Sequence, residues 1–350
     1  MNKQGHKKVT FKPYDQGVCM SPLPSLESMI PSGHLVRAVN GAIEGLNLDK
    51  LLELYPGGGS SAYHPKMLLK AVVYGYVDQQ YSSRKIEKAL KENINYMWLS
   101  GLQTPDHNTI SRFRSGVLKD TVKEVFSQVL VQLIEGKHVR LNNYHIDGTK
   151  IESVANRYTF VWAKQVSKQQ QKLLDKIKVL LEEIQAEEER SEEETPDIVV
   201  DSARLVEIVN ELSAKLLENT TEDKAVKKKV KTLKDDYLPK LIQYEIHQSN
   251  LNGRNSYAKT DCDATFFRMK DDHMGNGQLK PAYNVQIGTE HQYIINYTFH
   301  QQANDMPVLK EHLQSTKAQL VAIGQPMPQR LSSDAGYGSE ENYDYIKQEG

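Results

Sequence analysis

The rhythm of hydrophobic positions changes three times along the chain, and each change predicts a different kind of structure. From residue 65 to about residue 135, apolar positions recur every three or four residues, the period of an α-helix. Residues 67–77 are apolar almost all round and predict a buried helix. Pro65 stands at its first turn, where a missing N–H costs nothing. Ser82 or Ser83 can cap a second helix running to about Asn93, and Thr104-Pro105-Asp106 open a third. A fourth helix gathers Val122, Val125, Phe126, Val129, Leu130, Leu133 and Ile134 on one face. Upstream, residues 1–60 are punctuated by Pro22, Pro24, Pro31 and the run from Pro56 to Ser61. They predict loops, with short helices over 35–46 and 48–54.

A strand is predicted at residues 144–147, with Gly148 as its break. The texture then turns long, polar and poor in glycine over residues 161–250. Leu173, Ile177, Leu180 and Ile184 alternate by four and three, as do Leu205, Val209, Leu212 and Leu216, then Val226, Val230 and Leu233. This is coiled-coil seam spacing. Breaks at 192–196 and 219–222 make the segment a helical hairpin or three-helix arm. Beyond residue 251 alternation returns. Residues 281–288 and 292–299 predict two strands joined by a turn at 289–291. A helix follows from Asp305 to about Ile323, then a short strand over 329–333 ending at Asp334, then a helix capped by Ser339.

Composition narrows the class. At 350 residues the chain can hold two or three domains, with 39% hydrophobic and 25% charged residues. No run of about 18 apolar residues predicts a membrane span, and the N-terminal residues lack the apolar core of a signal peptide. Cys19 and Cys262 fit neither a disulfide framework nor a zinc site, so a reducing, cytoplasmic setting is expected. The net charge of −1 hides an asymmetry. Residues 1–150 carry 19 Lys and Arg against 13 Asp and Glu, while residues 161–250 carry 15 against 19 and residues 251–350 carry 9 against 12. A basic N-terminal third favours a nucleic-acid partner at that end.

Two acidic residues stand out by position. Asp147 and Asp334 each end a predicted strand and are followed by small residues. Carboxylates fixed at strand ends suit Mg²⁺, which takes oxygen ligands and commonly one or two carboxylates with water and phosphate. An Asp before Gly or Ala is more often a turn cap, and spacing alone does not pair residues 187 positions apart. Asp261 and Asp263 would share a face on a strand but are read as turn or solvent-facing residues. His145 is expected to point away from Asp147 and to pack. Residues 182–194 form a charge run, read as a solvated helix face and hinge.

Four blocks resemble a known family. Residues 144–153 (YHIDGTKIES) are similar to the first catalytic block of bacterial insertion-sequence transposases of the DDE type, and residues 331–343 (LSSDAGYGSEENY) to the second. Between them, residues 254–264 (RNSYAKTDCDA) and 283–286 (YNVQ) resemble the strand region of the same family. Residues 64–76 (HPKMLLKAVVYGY), 84–87 (RKIE) and 105–114 (PDHNTISRFR) resemble the helical N-terminal domain that precedes it. The likeness covers roughly residues 15–350 in the expected order.

The resemblance implies an α/β catalytic core of RNase H-like type, preceded by an all-α domain and interrupted by a long helical, coiled-coil insertion. The expected parts are a loop-rich segment (1–60), a helical DNA-binding domain (61–138), a core from 139–160 and 251–350, and the insertion (161–250). Asp147 and Asp334 are expected as catalytic ligands of Mg²⁺ or Mn²⁺. Arg84, Lys85, Lys88, Arg112 and Arg114 are expected to contact double-stranded DNA at element ends and target, with Lys150 and Arg157 holding substrate phosphates. The family's third acid is a Glu on a later helix. Only 16 residues follow Asp334, and Glu340, Glu341 and Glu349 come too early on the wrong element. The core is therefore expected to be incomplete at its C-terminal end and inactive alone. Two other readings stand beside this one: a DNA-binding regulator or relic without catalysis, and a scaffold oligomerising through its coiled coil. A homo-oligomer associated with the nucleoid, with no membrane partner, is expected because two element ends must be held together.

Overall fold

The computed structural model describes residues 11–17, 25–55, 57–58, 61–187, 201–218, 224–269, 275 and 277–349. The breaks expected at 192–196 and 219–222 lie outside the described residues. The chain divides into two compact units, one built mainly on residues 1–142 and one mainly on residues 143–350. Among the described residues, no helix is long and apolar enough to cross a membrane.

The first unit is helical: α1 (Leu26–Met29), α2 (Leu35–Glu44), α3 (Asp49–Glu53), α4 (Pro65–Val77), α5 (Ser83–Glu92), α6 (Ile94–Ser100), α7 (His107–Ser115) and α8 (Val117–Glu135). Its helix starts follow from capping chemistry. The His64 ring accepts the Lys66 N–H at 3.1 Å, Ser82 that of Lys85 at 3.2 Å, and Asp106 that of Thr109 at 2.7 Å. Helix α6 is not predicted by the sequence pattern, because seven residues are too few to display a period. Asn93 caps it and Gly101, at φ 57°, closes it in the left-handed conformation. Leu68, Leu69 and Val72 of α4 pack in one core with Ile86, Leu90, Leu99, Ile110 and Phe113. Lys70 interrupts this apolar helix and is fully buried. Its ammonium pairs with Glu44 and donates to Gln16 at 3.1 Å. Burial lowers its pKa while Glu44 opposes that shift.

The second unit is a mixed sheet with a helical arm. Its elements are β1 (Asn143–Glu152), β2 (Phe160–Trp162), α9 (Ala163–Glu187), α10 (Ser202–Glu218), α11 (Lys224–Thr232), α12 (Leu238–Leu251), β3 (Ser256–Ala258), β4 (Thr265–Arg268), β5 (Leu279–Glu290), β6 (Tyr293–His300), α13 (Leu309–Ala322), β7 (Arg330–Ser333) and α14 (Glu340–Glu349). The sheet runs β4-β5-β1-β7, with β6 also paired to β5. Strand β1 is antiparallel to β5 and parallel to β7. The β5–β6 turn falls at His291 and Gln292, both at positive φ, rather than at 289–291.

Strand β1 does not break at Gly148 but continues to Glu152. The glycine is there for space. A Cβ at Gly148 would sit 2.6 Å from Asp305 Oδ1 and 2.8 Å from Gln286 Nε2. Gly288 of β5 is more tightly constrained, since a Cβ there would lie 1.9 Å from the Tyr144 ring and hydroxyl. That hydroxyl is held at 2.8 Å by both His312 Nε2 and Thr316 Oγ1 of α13. His312 Nδ1 meets Thr298 of β6 at 2.7 Å, and Thr298 meets His300 at 2.7 Å. Burial, with the neighbouring His300, pushes the His312 pKa down to about 4. A satisfied polar chain of this kind fixes one helix against one sheet.

The arm is a three-helix bundle whose third helix runs from Lys224 to Leu251 through a π-helical turn at Leu233–Tyr237. Leu173, Ile177, Leu181, Ile184, Leu205, Val209, Val226, Val230, Leu233 and Leu241 form its core. Leu181 takes the buried place expected of Leu180, which is only partly covered. At the neck, β2 pairs antiparallel with β3, Val161 opposite Tyr257. This short ladder joins the two chain segments where the arm leaves the sheet.

Candidate active site

Strand β1 alternates faces residue by residue. Tyr144, Ile146 and Gly148 are buried, while His145, Asp147 and Thr149 are exposed. His145 therefore shares the face of Asp147, because residues two apart on a strand point the same way. This corrects the expectation that it points away and packs. Strand β7 lies parallel to β1 with Asn143 opposite Arg330 and Ile146 opposite Ser333. One further step of that register sets Asp334 beside Asp147. Two residues 187 positions apart in sequence are thus carried on neighbouring strands, Asp147 within β1 and Asp334 just beyond the end of β7. Asp334 is exposed and still extended, with φ −73° and ψ 171°. Its carboxylate accepts the Gly336 N–H at 3.0 Å, which starts the tight turn Ala335–Tyr337.

That turn is anchored from beneath. The Tyr337 hydroxyl donates to Gln286 Oε1 of β5. Gln286 Nε2 donates to Asp305 at 2.8 Å and to Asn284 at 3.0 Å, and Asn284 donates to Asp305 at 2.9 Å. Asn342 of α14 donates to the carbonyls of Tyr337 at 2.8 Å and Met306 at 2.9 Å. Burial raises the Tyr337 pKa, and the charges of Asp305, Asp147 and Asp334 raise it further. All three carboxylates therefore lie near this one phenol.

Sequence reasoning missed the set Asp305, Asn284, Gln286 and Tyr337. The available signal was two amides at alternate positions of a predicted buried strand. Buried amides need hydrogen-bond partners, and these find theirs on a segment about 20 residues away.

The exposed carboxylates of Asp147 and Asp334 are oxygen ligands of the kind that Mg²⁺ or Mn²⁺ takes, with water and phosphate filling the other positions. They fit an ion that is completed by further ligands. Among the described residues, no group of three or more His, Cys, Asp or Glu converges on a single ion position. Asp261, by contrast, is a structural acid. It accepts from Ser153 at 2.5 Å and from Tyr283 at 2.8 Å. Burial opposes its ionisation, but these hydrogen bonds leave its pKa below the usual carboxylate range.

The remaining cations are dispersed. Lys150 donates to the Arg268 carbonyl at 3.3 Å, and Arg157 lies over the Tyr158 ring. In the helical unit Arg84, Lys85, Lys88 and Arg112 lie at least partly in solvent, with Lys88 3.7 Å from Glu92. Arg114 is used internally, donating to the Tyr81 carbonyl at 2.8 Å and the Tyr76 hydroxyl at 2.6 Å. Glu87 ties α5 to the start of α7, accepting from Lys91 and from the ring and backbone of His107. These bonds pull its pKa down to about 2.

Comparison with known proteins gives two family matches. Residues 24–116 match the transposase domain (DUF772), and residues 254–350 match the transposase DDE domain. No curated protein and no solved structure gives a significant match. The first match covers most of the helical unit, and the second covers β3 to α14, including Asp334. Two transposase domain matches in this order make the chain similar to transposases of the DDE type over residues 24–116 and 254–350.

Proposed function

We propose that this protein is the metal-dependent DNA strand-cleavage and strand-transfer enzyme of an insertion sequence, with an RNase H-like core. The observation that carries the reading is the β1–β7 register, whose last pair, Ile146 opposite Ser333, directly precedes the exposed Asp147 and Asp334. The sheet order supports the fold assignment: one long strand flanked by an antiparallel hairpin on one side and a parallel strand on the other.

In this reading Asp147 and Asp334 hold Mg²⁺ or Mn²⁺. Such ions activate a water or 3′-hydroxyl and stabilise the leaving oxygen in phosphoryl transfer. The rigid strand sets the position of Asp147. The Tyr337–Gln286–Asp305 network sets that of the turn bearing Asp334. The exposed face shared by His145, Asp147 and Thr149 is the side from which a DNA end would approach. The helical domain (61–138) binds duplex DNA through Arg84, Lys85, Lys88 and Arg112, by phosphate contacts that position the substrate. Arg114, Lys150 and Arg157 are secondary candidates for the same role. A third acidic ligand of the family type is not assigned within residues 1–350.

The test is nicking of a labelled duplex carrying the element's end, with Mg²⁺ or Mn²⁺, by this protein. Metal-dependent nicking, lost in both Asp147→Asn and Asp334→Asn, is the expected result. Undiminished nicking by either variant would remove these residues from the catalytic role.

A further inference from the structure

Helix α11 carries an unusual distribution of charge. Residues 224–234 contain six lysines and no acidic residue, within an arm that is net acidic over residues 161–250. Val226, Val230 and Leu233 face the core of the arm. Lys224, Lys227, Lys228, Lys231 and Lys234 are all exposed, and their spacing of three and four residues lines them up on the opposite face. The stripe covers ten residues of rise, about 15 Å of helix.

Two other lysines of the arm have carboxylate partners, while Lys164, Lys168, Lys172, Lys176 and Lys178 are spread along α9 with no ion pair among the described residues. Lys229 lies 3.1 Å from Glu183, and Lys240 lies 2.6 Å from Asp236. Among the described residues, none of the five stripe lysines lies within ion-pair distance of a carboxylate. A helix face that is merely solvated mixes signs, because like charges at three- and four-residue spacing oppose the helix. Five cations in register cost the isolated helix stability, and a polyanion laid along them removes that cost. The π-helical turn Leu233–Tyr237 overlaps the end of the stripe at Lys234. Such turns recur at functional positions.

We infer that this stripe is a second DNA-binding surface. It takes the phosphate backbone of a duplex, without reading sequence, separately from the carboxylate pair. Duplex DNA carries about one charge per 1.7 Å of axis, so about 15 Å of lysines matches a dense row of phosphates. The inference rests on the proposed DNA substrate and assigns the arm a role in holding it.

The test is fluorescence anisotropy of the whole chain with a random-sequence duplex of about 30 base pairs, across a salt series. The variant replaces Lys224, Lys227, Lys228, Lys231 and Lys234 with Gln. A second variant replaces the same five with Arg, and circular dichroism checks the fold of both. The Gln variant should lose at least about tenfold in affinity near 0.1 M salt. Its slope of log affinity against log salt should fall by about 0.9 for each contact removed. The Arg variant should bind as the parent does. Unchanged affinity and slope in a folded Gln variant, while the parent binds, would overturn the inference and leave the active-site reading standing. Absence of duplex binding by the parent would overturn both. A change confined to self-association, read by sedimentation velocity, would assign the stripe to a second copy of the chain and also overturn it.

Discussion

On one face of β1, Tyr144, Ile146 and Gly148 are closed in by β5, α13 and a chain of hydrogen bonds. On the other, His145, Asp147 and Thr149 stand in solvent. The two faces belong to consecutive residues of the same strand. The buried face commits its polar groups to one another: tyrosine to histidine, amide to carboxylate, phenol to amide. The exposed face leaves its carboxylate accessible. A ligand-binding strand needs both, because a carboxylate fixes an ion only if its backbone is itself held. The comparison predicts that substitutions on the buried face act on stability, and those on the exposed face on ligand binding.

The largest expected effect is at Gly288. An alanine Cβ there meets Tyr144 at 1.9 Å, so the β1–β5 ladder must shift. Gly288→Ala should cost about 3 kcal/mol or more in urea unfolding. Gly148→Ala, with its closest contacts at 2.6 and 2.8 Å, should cost about 1–3 kcal/mol. An unfolding midpoint unchanged in both would mean that the buried face is not packed as described.

A pH titration sharpens the same point. The folded His312 pKa is about 4 against 6.5 in the unfolded chain. The unfolded state therefore takes up its proton first. This contribution to stability is complete above pH 6.5 and is lost as pH falls towards 4, amounting to about 3 kcal/mol. His300, also depressed by burial although Glu311 opposes it, acts in the same direction. Denaturant unfolding at pH 7 and pH 4.5 measures the loss, and His312→Gln should flatten the part that His312 contributes.

Tyr337→Phe should cost about 1–3 kcal/mol, because it leaves the buried Gln286 oxygen without its donor. It should also loosen the turn that carries Asp334, visible as faster amide exchange at Gly336. The smallest effect belongs to Asp147→Asn, which should leave metal-free stability within about 0.5 kcal/mol, as expected at an exposed position.

Periodicity reveals elements long enough to repeat their pattern. Helix α8, the two strands β5 and β6, the seam of the arm and the start of α13 are legible for that reason. Helix α6 and the β2–β3 ladder are not, since seven and three residues carry no period and their identity comes from partners. Gly148 reads locally as a strand break because glycine suits both a turn and a close approach. Only the position of Asp305, 157 residues later, decides between them. Asp147 and Asp334 are legible by their resemblance to family blocks; the strand-end reading fits Asp334 but not Asp147, which lies inside β1. Their placement on neighbouring strands is a property of the β1–β7 register, which no local pattern contains. Asp305 reads only as a helix start, because its partners Asn284 and Gln286 lie on another strand.

The central claim is that Asp147 and Asp334 act as a pair toward a divalent cation. Titration of the whole chain with Mn²⁺, followed by electron paramagnetic resonance, tests it without requiring catalysis. The expected result is a bound Mn²⁺ that is lost in Asp147→Asn and equally in Asp334→Asn, and displaced by Mg²⁺. Binding that survives in either variant, or that disappears in only one of them, would contradict it.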